Sequence, residues 1–149
     1  MPTIKEVKVK IESIIDNLDP AGLPEGDPEK ALTEAEGFLR YDNGELTLTY
    51  SEEGEGGHLE SEIIYSQGKM QVNRKGAIES KLYFVEGEKT CSIYEVPPYK
   101  FDMELFAKRI RADVNEDGGK IDLFYTMKIG GAAKSARMKI WISTNSHQI

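Results

Sequence analysis

Five side chains in this sequence have the chemistry and the spacing of a small-ligand site. Arg74 ends a stretch in which apolar and polar residues alternate, and its position in that alternation directs it inward with the apolar residues. A guanidinium can hold a carboxylate or a phosphate by two parallel hydrogen bonds. Glu52 has the same inward parity at the end of another such stretch, and so do three tyrosines, Tyr50, Tyr65 and Tyr125. We expect these five residues to bind a small anionic or amphipathic ligand.

The same pattern has structural interpretations that the sequence leaves open. Glu52 and Arg74 would form an ion pair if their strands lie close enough, or Arg74 would extend along the rim into water. Inward tyrosines also fill the cores of small barrels, where they need bind nothing. An inward Arg74 is therefore compatible with either a binding site or a purely structural role.

Residues for catalysis or metal binding are few. The chain has two histidines, His58 and His147, and one cysteine, Cys91. His58 has outward parity beside an acidic, glycine-rich stretch, and no histidine lies near Cys91 in sequence. Metal sites and nucleophilic catalysis need several such groups brought together. We therefore expect no catalytic residues, no metal, no cofactor and no enzymatic activity.

Period-two alternation of apolar and polar residues extends over most of the chain, which predicts an all-β fold. Asn43-Gly44 has the positive-φ preference of a two-residue hairpin turn. In the stretch 99–114 the parity reverses near Phe106 or Ala107, which predicts a β-bulge or a break into two strands. These signals predict about ten short antiparallel strands. Closing them into an up-and-down barrel would remove the exposed edges of an open sheet. We expect one barrel of about 8–10 strands over residues 1–149, with little helix.

Two segments interrupt the alternation. Residues 17–31 contain three prolines, two of them in Asp-Pro pairs, and two glycines, so we expect a long loop or a short helical excursion there. Residues 144–149 are expected to be a frayed tail. The longer connections, including 17–31, fall at one end of an up-and-down barrel, so the sequence predicts an open mouth at that end and tight turns at the other.

The last strands carry a second candidate surface on their outward side. Pairing them through turns at 115–118 and 130–135 places Phe124 opposite Trp141, with Arg111 and Lys139 nearby. Exposed aromatic and arginine residues are typical of protein interfaces, which predicts a homodimer or a partner protein. The alternative is that the 17–31 segment covers these aromatics.

Composition limits the other classes of partner. The 149 residues carry a net charge of −7, of which residues 1–75 contribute −8 and residues 76–149 contribute +1. A basic patch is therefore modest, and nucleic acid is an unfavourable partner. No apolar run is long enough to span a membrane, and the first residues do not resemble a signal peptide. These features predict a cytoplasmic protein.

Several spaced segments resemble the YwiB-like family of small bacterial proteins, a domain of unknown function. The segments that carry the resemblance are Gly37–Tyr41, Leu48–Glu52, Arg74–Gly76, Phe84–Gly87, Tyr94–Tyr99 and Gly119–Tyr125. The resemblance implies a calycin or lipocalin-like β-barrel and assigns no activity. This chain has Pro97-Pro98-Tyr99-Lys100 where the family usually has Thr-Pro-Tyr-Gly. Its single tryptophan, Trp141, is not in the first strand where lipocalins carry theirs, so lipocalin ligands are not implied.

Overall fold

The structure is a computed structural model that describes residues 3–54, 57–96 and 98–144. Those residues form ten antiparallel strands and no helix. The strands are β1 (Thr3–Leu18), β2 (Pro24–Asp42), β3 (Glu45–Gly54), β4 (Gly57–Ser66), β5 (Lys69–Gly76), β6 (Glu79–Val85), β7 (Lys89–Val96), β8 (Tyr99–Asn115), β9 (Gly118–Ile129) and β10 (Ala132–Thr144). Of the predicted tail, Thr144 ends β10, and 145–149 lie outside the described residues.

Each strand pairs with its neighbours in sequence, and β1 pairs with β10 to close the barrel. The predicted all-β, up-and-down architecture is therefore confirmed. Closure satisfies the backbone groups that the edges of an open sheet would leave unpaired. Within the described ranges, nothing helical has the length and apolar character needed to traverse a bilayer.

The inward residues of all ten strands build one core. Side chains that are almost fully buried include Val7, Leu48, Phe84, Leu123 and Ile140. Their alternation with outward polar residues is the period-two pattern visible in the sequence. Because only alternate residues of a single-layer sheet are buried, a hydrophobic fraction of 39% is enough to fill the barrel.

The parity reversal in β8 is a β-bulge, as predicted. Ala107 pairs with Tyr125 and Arg109 with Phe124, so Lys108 is the extra residue. Leu105 and Ala107 face inward before the bulge, and Ile110 faces inward after it. The bulge keeps both halves of this 17-residue strand in contact with the core.

The expectation of a long loop or helix over 17–31 is wrong. β1 continues to Leu18, a short turn follows in which Asp19 accepts hydrogen bonds from the N–H groups of Ala21 and Leu23, and β2 begins at Pro24. The two strands stay paired from Leu18↔Pro24 downward, with an irregularity between Ile15 and Asn17. This part of β2 is exposed on both faces, so it shows no apolar alternation that would reveal a strand.

The end of the barrel that was predicted to carry the long loops does not carry them. The turns at 130–131 and 19–23 are short, so the end predicted to carry long loops is formed by hairpin tips instead. Two aromatics with inward parity are nevertheless exposed at this end: Tyr99 by 65% and Phe101 by 41%. We call this end, where β1 terminates and β2 begins, the open end, after the mouth that the sequence predicts there.

Candidate functional site

A row of inward side chains crosses six neighbouring strands near the open end. Cross-strand pairing connects its members in order, from β3 to β8. We call these residues the polar row: Tyr50, Ser61, Arg74, Ser80, Tyr94 and Phe101. Directly paired side chains in a sheet have Cβ atoms about 4.5–5.5 Å apart, so each member contacts the next.

Arg74 lies on β5, at the centre of the row. It pairs with Ser61 on β4 and with Ser80 on β6. Both serines are buried, with 3% and 4% of their surface exposed. Within the described part of the chain, Arg74 Nε, Ser61 Oγ and Ser80 Oγ are buried without a hydrogen-bond partner. Most buried polar atoms in proteins have partners, so three unpartnered ones in adjacent positions are unusual.

Two buried tyrosines lie within the electrostatic influence of Arg74. Burial raises the pKa of Tyr50, and the positive charge of Arg74, together with side-chain contacts to Ser61 and Arg74, offsets part of that increase. Burial also raises the pKa of Tyr125, again opposed by Arg74. Tyr125 belongs to β9 and reaches this position from the other side of the barrel, flanked by the small residues Ala107 and Ala136. Its ring packs edge-on against Phe84, with the centroids 4.9 Å apart.

Glu52 is half-buried two residues beyond Tyr50, and its negative charge also raises the pKa of Tyr50. Over the described residues no ion pair forms between Glu52 and Arg74, or between Arg74 and any other carboxylate. The structural alternative of a Glu52–Arg74 ion pair is therefore not what the structure shows. The charge of Arg74 is uncompensated at close range.

Tyr65 is not part of this site, which corrects the predicted set of five. It pairs with Met70 beside the Gln67-Gly68 turn, at the opposite end of β4 from Ser61. Four residues of strand separate it from Ser61, or about 13 Å. Parity places Tyr65 on the inner face correctly, but parity carries no information on height along the barrel. Ser61 and Ser80 were missed because an isolated serine in a strand has no distinctive signal until the register is known.

A groove of about 750 Å³ lies on the other side of the same strands. Most of the residues that line it have outward parity, among them Glu60, Lys81, Tyr83, Cys91 and Ile93. Four residues of inward parity, Ser61, Arg74, Ser80 and Ser92, also line the groove, so it reaches the polar row. Cys91 is exposed here, on the outer face.

His58 also lies on the outside, as its parity predicts. Its Nδ1 contacts Glu53 Oε1 at 2.5 Å, and its Nε2 contacts Glu60 Oε1 at 2.6 Å. Hydrogen bonds to Glu60 and then to Glu53 raise the pKa of His58. Both ring nitrogens are engaged with carboxylates in the open, so the imidazole is not directed at the polar row.

The predicted pairing of the last strands is wrong by several residues. Phe124 pairs with Arg137 and Arg109, whereas Trp141 pairs with Lys120 and Lys10. The reason is the turn between β9 and β10, which uses only Gly130-Gly131 rather than 130–135. The two aromatics are therefore not cross-strand neighbours.

Both aromatics are half-buried, and basic side chains of their own sheet cover them. Arg137 lies 4.6 Å from the ring centroid of Phe124, while Lys10 and Lys120 lie 5.4 and 5.8 Å from that of Trp141. The 17–31 segment does not serve as their cover, since it continues β1 and β2. Arg111 and Lys139 are both opposite Asp122.

Comparison with known proteins agrees with this fold. Residues 21–142 match the model of a family described as "Domain of unknown function (DUF1934)". A relative from Bacillus subtilis (strain 168), "Uncharacterized beta-barrel protein YwiB", is 25% identical over 124 residues, which are 83% of this chain and 82% of the relative.

The crystal structure of the ywiB protein from Bacillus subtilis superposes with a TM-score of 0.82 at 23% identity, covering 96% of this chain and 94% of that one. A likeness at that identity concerns the fold. The family match spans most of the ten-stranded barrel, from the turn before β2 to the end of β10. The chain therefore belongs to the DUF1934 family of domains of unknown function.

Proposed function

We propose that this protein is a cytoplasmic, non-enzymatic barrel that binds a small anion carrying an apolar or aromatic body at its open end. The observation that supports this most is the uncompensated Arg74 between two buried serines with unpartnered hydroxyls. A carboxylate or phosphate would accept hydrogen bonds from all three groups. Leaving a buried polar group unsatisfied costs about 1–3 kcal/mol, so an anion that satisfies several would bind with a corresponding gain.

The aromatic residues beside the serines favour an amphipathic ligand over a bare inorganic anion. Tyr94 pairs with Phe101 at the end of the polar row, and Phe101 stacks with Tyr99 at a centroid distance of 6.4 Å. Aromatic surface exposed at an opening is typical of ligand sites in which a few polar groups fix the orientation of an apolar body. A benzoate-like or phenyl phosphate-like molecule matches that arrangement.

The location of the reactive groups supports a binding role rather than catalysis. His58 and Cys91 are both exposed on the outer face, although Cys91 lines the groove that Arg74 also lines. A general base must come within hydrogen-bond reach of its proton, and Glu53 and Glu60 already engage both ring nitrogens of His58. A single free cysteine is also compatible with the reducing cytoplasm.

Thermal unfolding tests the proposal with benzoate, phenyl phosphate and inorganic phosphate as probes, against sodium chloride at equal ionic strength. A ligand at about ten times its Kd stabilises a fold by about 1.4 kcal/mol, or roughly 3–6 °C for a domain of this size. We expect an aromatic anion to give this increase in wild type and in Lys75→Met, whose lost cation neighbours Arg74 but is exposed on the outer face.

Arg74→Met should lose the increase in melting temperature. If that variant does not fold, the double variant Ser61→Ala, Ser80→Ala should reduce it. No stabilisation of wild type by any of the three probes would overturn the proposal, and so would equal stabilisation of wild type and a folded Arg74→Met.

A further inference from the structure

One protruding segment carries a net charge equal to that of the whole protein. Residues 12–36, which we call the acidic arm, comprise the upper part of β1, the turn and the first part of β2. They contain eight carboxylates and one lysine, Lys30, for a net charge of −7, the same as that of the full chain. None of these carboxylates takes part in an ion pair with the residues that the structure describes.

The acidic arm extends beyond the strand that should protect its edge. The ladder between β2 and β3 stops at Gly37↔Tyr50, although β2 begins thirteen residues earlier at Pro24. Pro24, Pro28 and the repeated like charges oppose addition of an identical strand to this free edge. The arm also exposes an apolar residue, Leu32, by 58%. Association through the face of the arm is therefore favoured over association through its edge.

A basic face lies on the neighbouring strands, on the outward side of β8, β9 and β10. It carries eight basic residues and four acidic ones, for a net charge of +4: Lys100, Lys108, Arg109, Arg111, Lys120, Lys128, Arg137, Lys139, Asp102, Glu104, Asp113 and Asp122. Over the described chain its only internal ion pair is Lys120–Asp122. Arg137 Nε is buried there without a hydrogen-bond partner among the described residues.

The base of the acidic arm meets the basic face of its own chain, with Glu12 opposite Lys139, whereas the carboxylates of β2 lie one strand farther away. Pairing between β1 and β10 continues up to Asn17↔Lys134, which holds the arm in the plane of the sheet beside that face. Two adjacent patches of opposite charge, fixed side by side, are self-complementary under a two-fold axis between them. In such a pair each arm would lie on the basic face of the other subunit, and both contacts would form together.

We propose that a second copy of this chain docks on the basic face through its acidic arm, in an isologous dimer. Leu32 of the arm and the half-buried Phe124 and Trp141 of the face supply apolar contact within the charged surroundings, as interfaces commonly do. A polyanion such as nucleic acid would meet the same basic face, but the arm beside it would repel a long phosphate backbone.

Charge reversal and mixing test the dimer. In one variant Glu25→Lys and Glu29→Lys reduce the net charge of the arm from −7 to −3; the cross-strand partners of these residues, Asn17 and Ile15, are uncharged. In the other variant, Arg109→Glu and Arg137→Glu reduce the net charge of the face from +4 to 0. Both of these arginines pair with Phe124. Sedimentation equilibrium of the full chain then measures the dimer Kd for wild type, for each variant and for their equimolar mixture, with thermal unfolding as the check on folding.

Wild type should be dimeric at about 0.05 M salt and weaken towards 1 M, where the screening length falls to about 3 Å. Each variant alone should raise the Kd at least about tenfold, since the charge attraction is weakened at both contacts of the dimer. The mixture should restore dimers, because the two lysines of one variant's arm then meet the two glutamates of the other's face at one contact, while an unchanged arm meets an unchanged face at the second. If Arg137→Glu prevents folding, Arg109→Glu alone serves in the mixture.

Three results would overturn the proposal. Absence of wild-type dimers at low salt would exclude the second copy and leave another partner for the charged surfaces. The variants could remain as dimeric as wild type, which places the dimer elsewhere. Folded variants that fail to associate when mixed would contradict the complementarity itself.

Discussion

The carboxylate of Glu86 accepts a hydrogen bond from the backbone N–H of Ile110, at 2.8 Å between Oε2 and N. The two residues are 24 positions apart, and Ile110 is the first inward residue after the bulge in β8. Gly87 adds a second tie, because its N–H donates to the carbonyl of Ala107 at 2.8 Å. The turn between β6 and β7 thus holds the bulge that lets β8 change parity.

Removal of the Glu86 carboxylate should destabilise the barrel. Glu86→Ala leaves the Ile110 N–H without this acceptor, and we expect a loss of about 1–3 kcal/mol in the free energy of unfolding. Urea denaturation measures it, with Glu88→Ala as the control because Glu88 is exposed in the same turn. Glu86→Gln retains an acceptor and should recover part of the loss. Equal stability of the two alanine variants would contradict the role assigned to Glu86.

Gly37 should not tolerate even a methyl group. A Cβ there would lie 2.1 Å from the carbonyl oxygen of Thr49, in the backbone of β3. This close approach occurs at the last pair before β2 departs from β3 to form the acidic arm. Gly37→Ala should therefore cost about 1–3 kcal/mol of stability. Glu36→Ala, one residue away and exposed, is the control; a Gly37→Ala protein as stable as that control would show that the strands separate easily.

His58 should titrate above its ordinary pKa of 6.5, because Glu60 and Glu53 hydrogen-bond its ring. A raised pKa in the folded state means that the interaction stabilises the protein fully below the ordinary pKa and is lost as the pH rises through the folded value. Nuclear magnetic resonance of the imidazole measures this directly. Glu60→Gln and Glu53→Gln should each lower the pKa, whereas Glu62→Gln, which removes a carboxylate bonded to Asn73, should not. An unchanged pKa in the first two variants would refute the contacts.

Removal of Arg74 should raise the pKa of Tyr50 and of Tyr125 further, because its positive charge opposes the effect of burial on both. Absorbance of tyrosinate at alkaline pH measures the change, and Tyr50→Phe and Tyr125→Phe assign it. Raised tyrosine pKa values also mean that stability is lost as the pH rises above the ordinary value of 10.0. If Arg74→Met and Lys75→Met have the same tyrosine titration, Arg74 does not point into the barrel.

Local pattern was sufficient for much of this fold. Alternation reveals a strand wherever one face is buried and the other is in contact with water. It located the bulge near Ala107 because the apolar alternation is regular both before and after that residue, but with opposite parity. It failed over 17–31 for the same reason: an arm that is exposed on both faces has no apolar alternation, and its prolines and glycines are typical of a loop.

The candidate site depended on register, which parity does not determine. A two-residue turn at Gly130-Gly131, in place of a longer connection, moved Trp141 from Phe124 to Lys120. Register likewise placed Ser61 and Ser80 on either side of Arg74 and left Tyr65 at the other end of β4. Arg74, Tyr50, Tyr125 and Glu52 could be predicted because they are large or charged residues at inward positions; the serines could not.

The most direct test of anion binding observes the Arg74 side chain itself. In ¹⁵N-labelled protein the Arg74 Nε–H resonance, assigned by its loss in Arg74→Met, is followed as benzoate or phenyl phosphate is added. We predict that this resonance shifts and saturates together with the backbone amides of Ser61 and Ser80. Shifts confined to residues of the outer groove such as Tyr83 and Ile93, or no saturable shift at Arg74 with either probe, would contradict the proposed site.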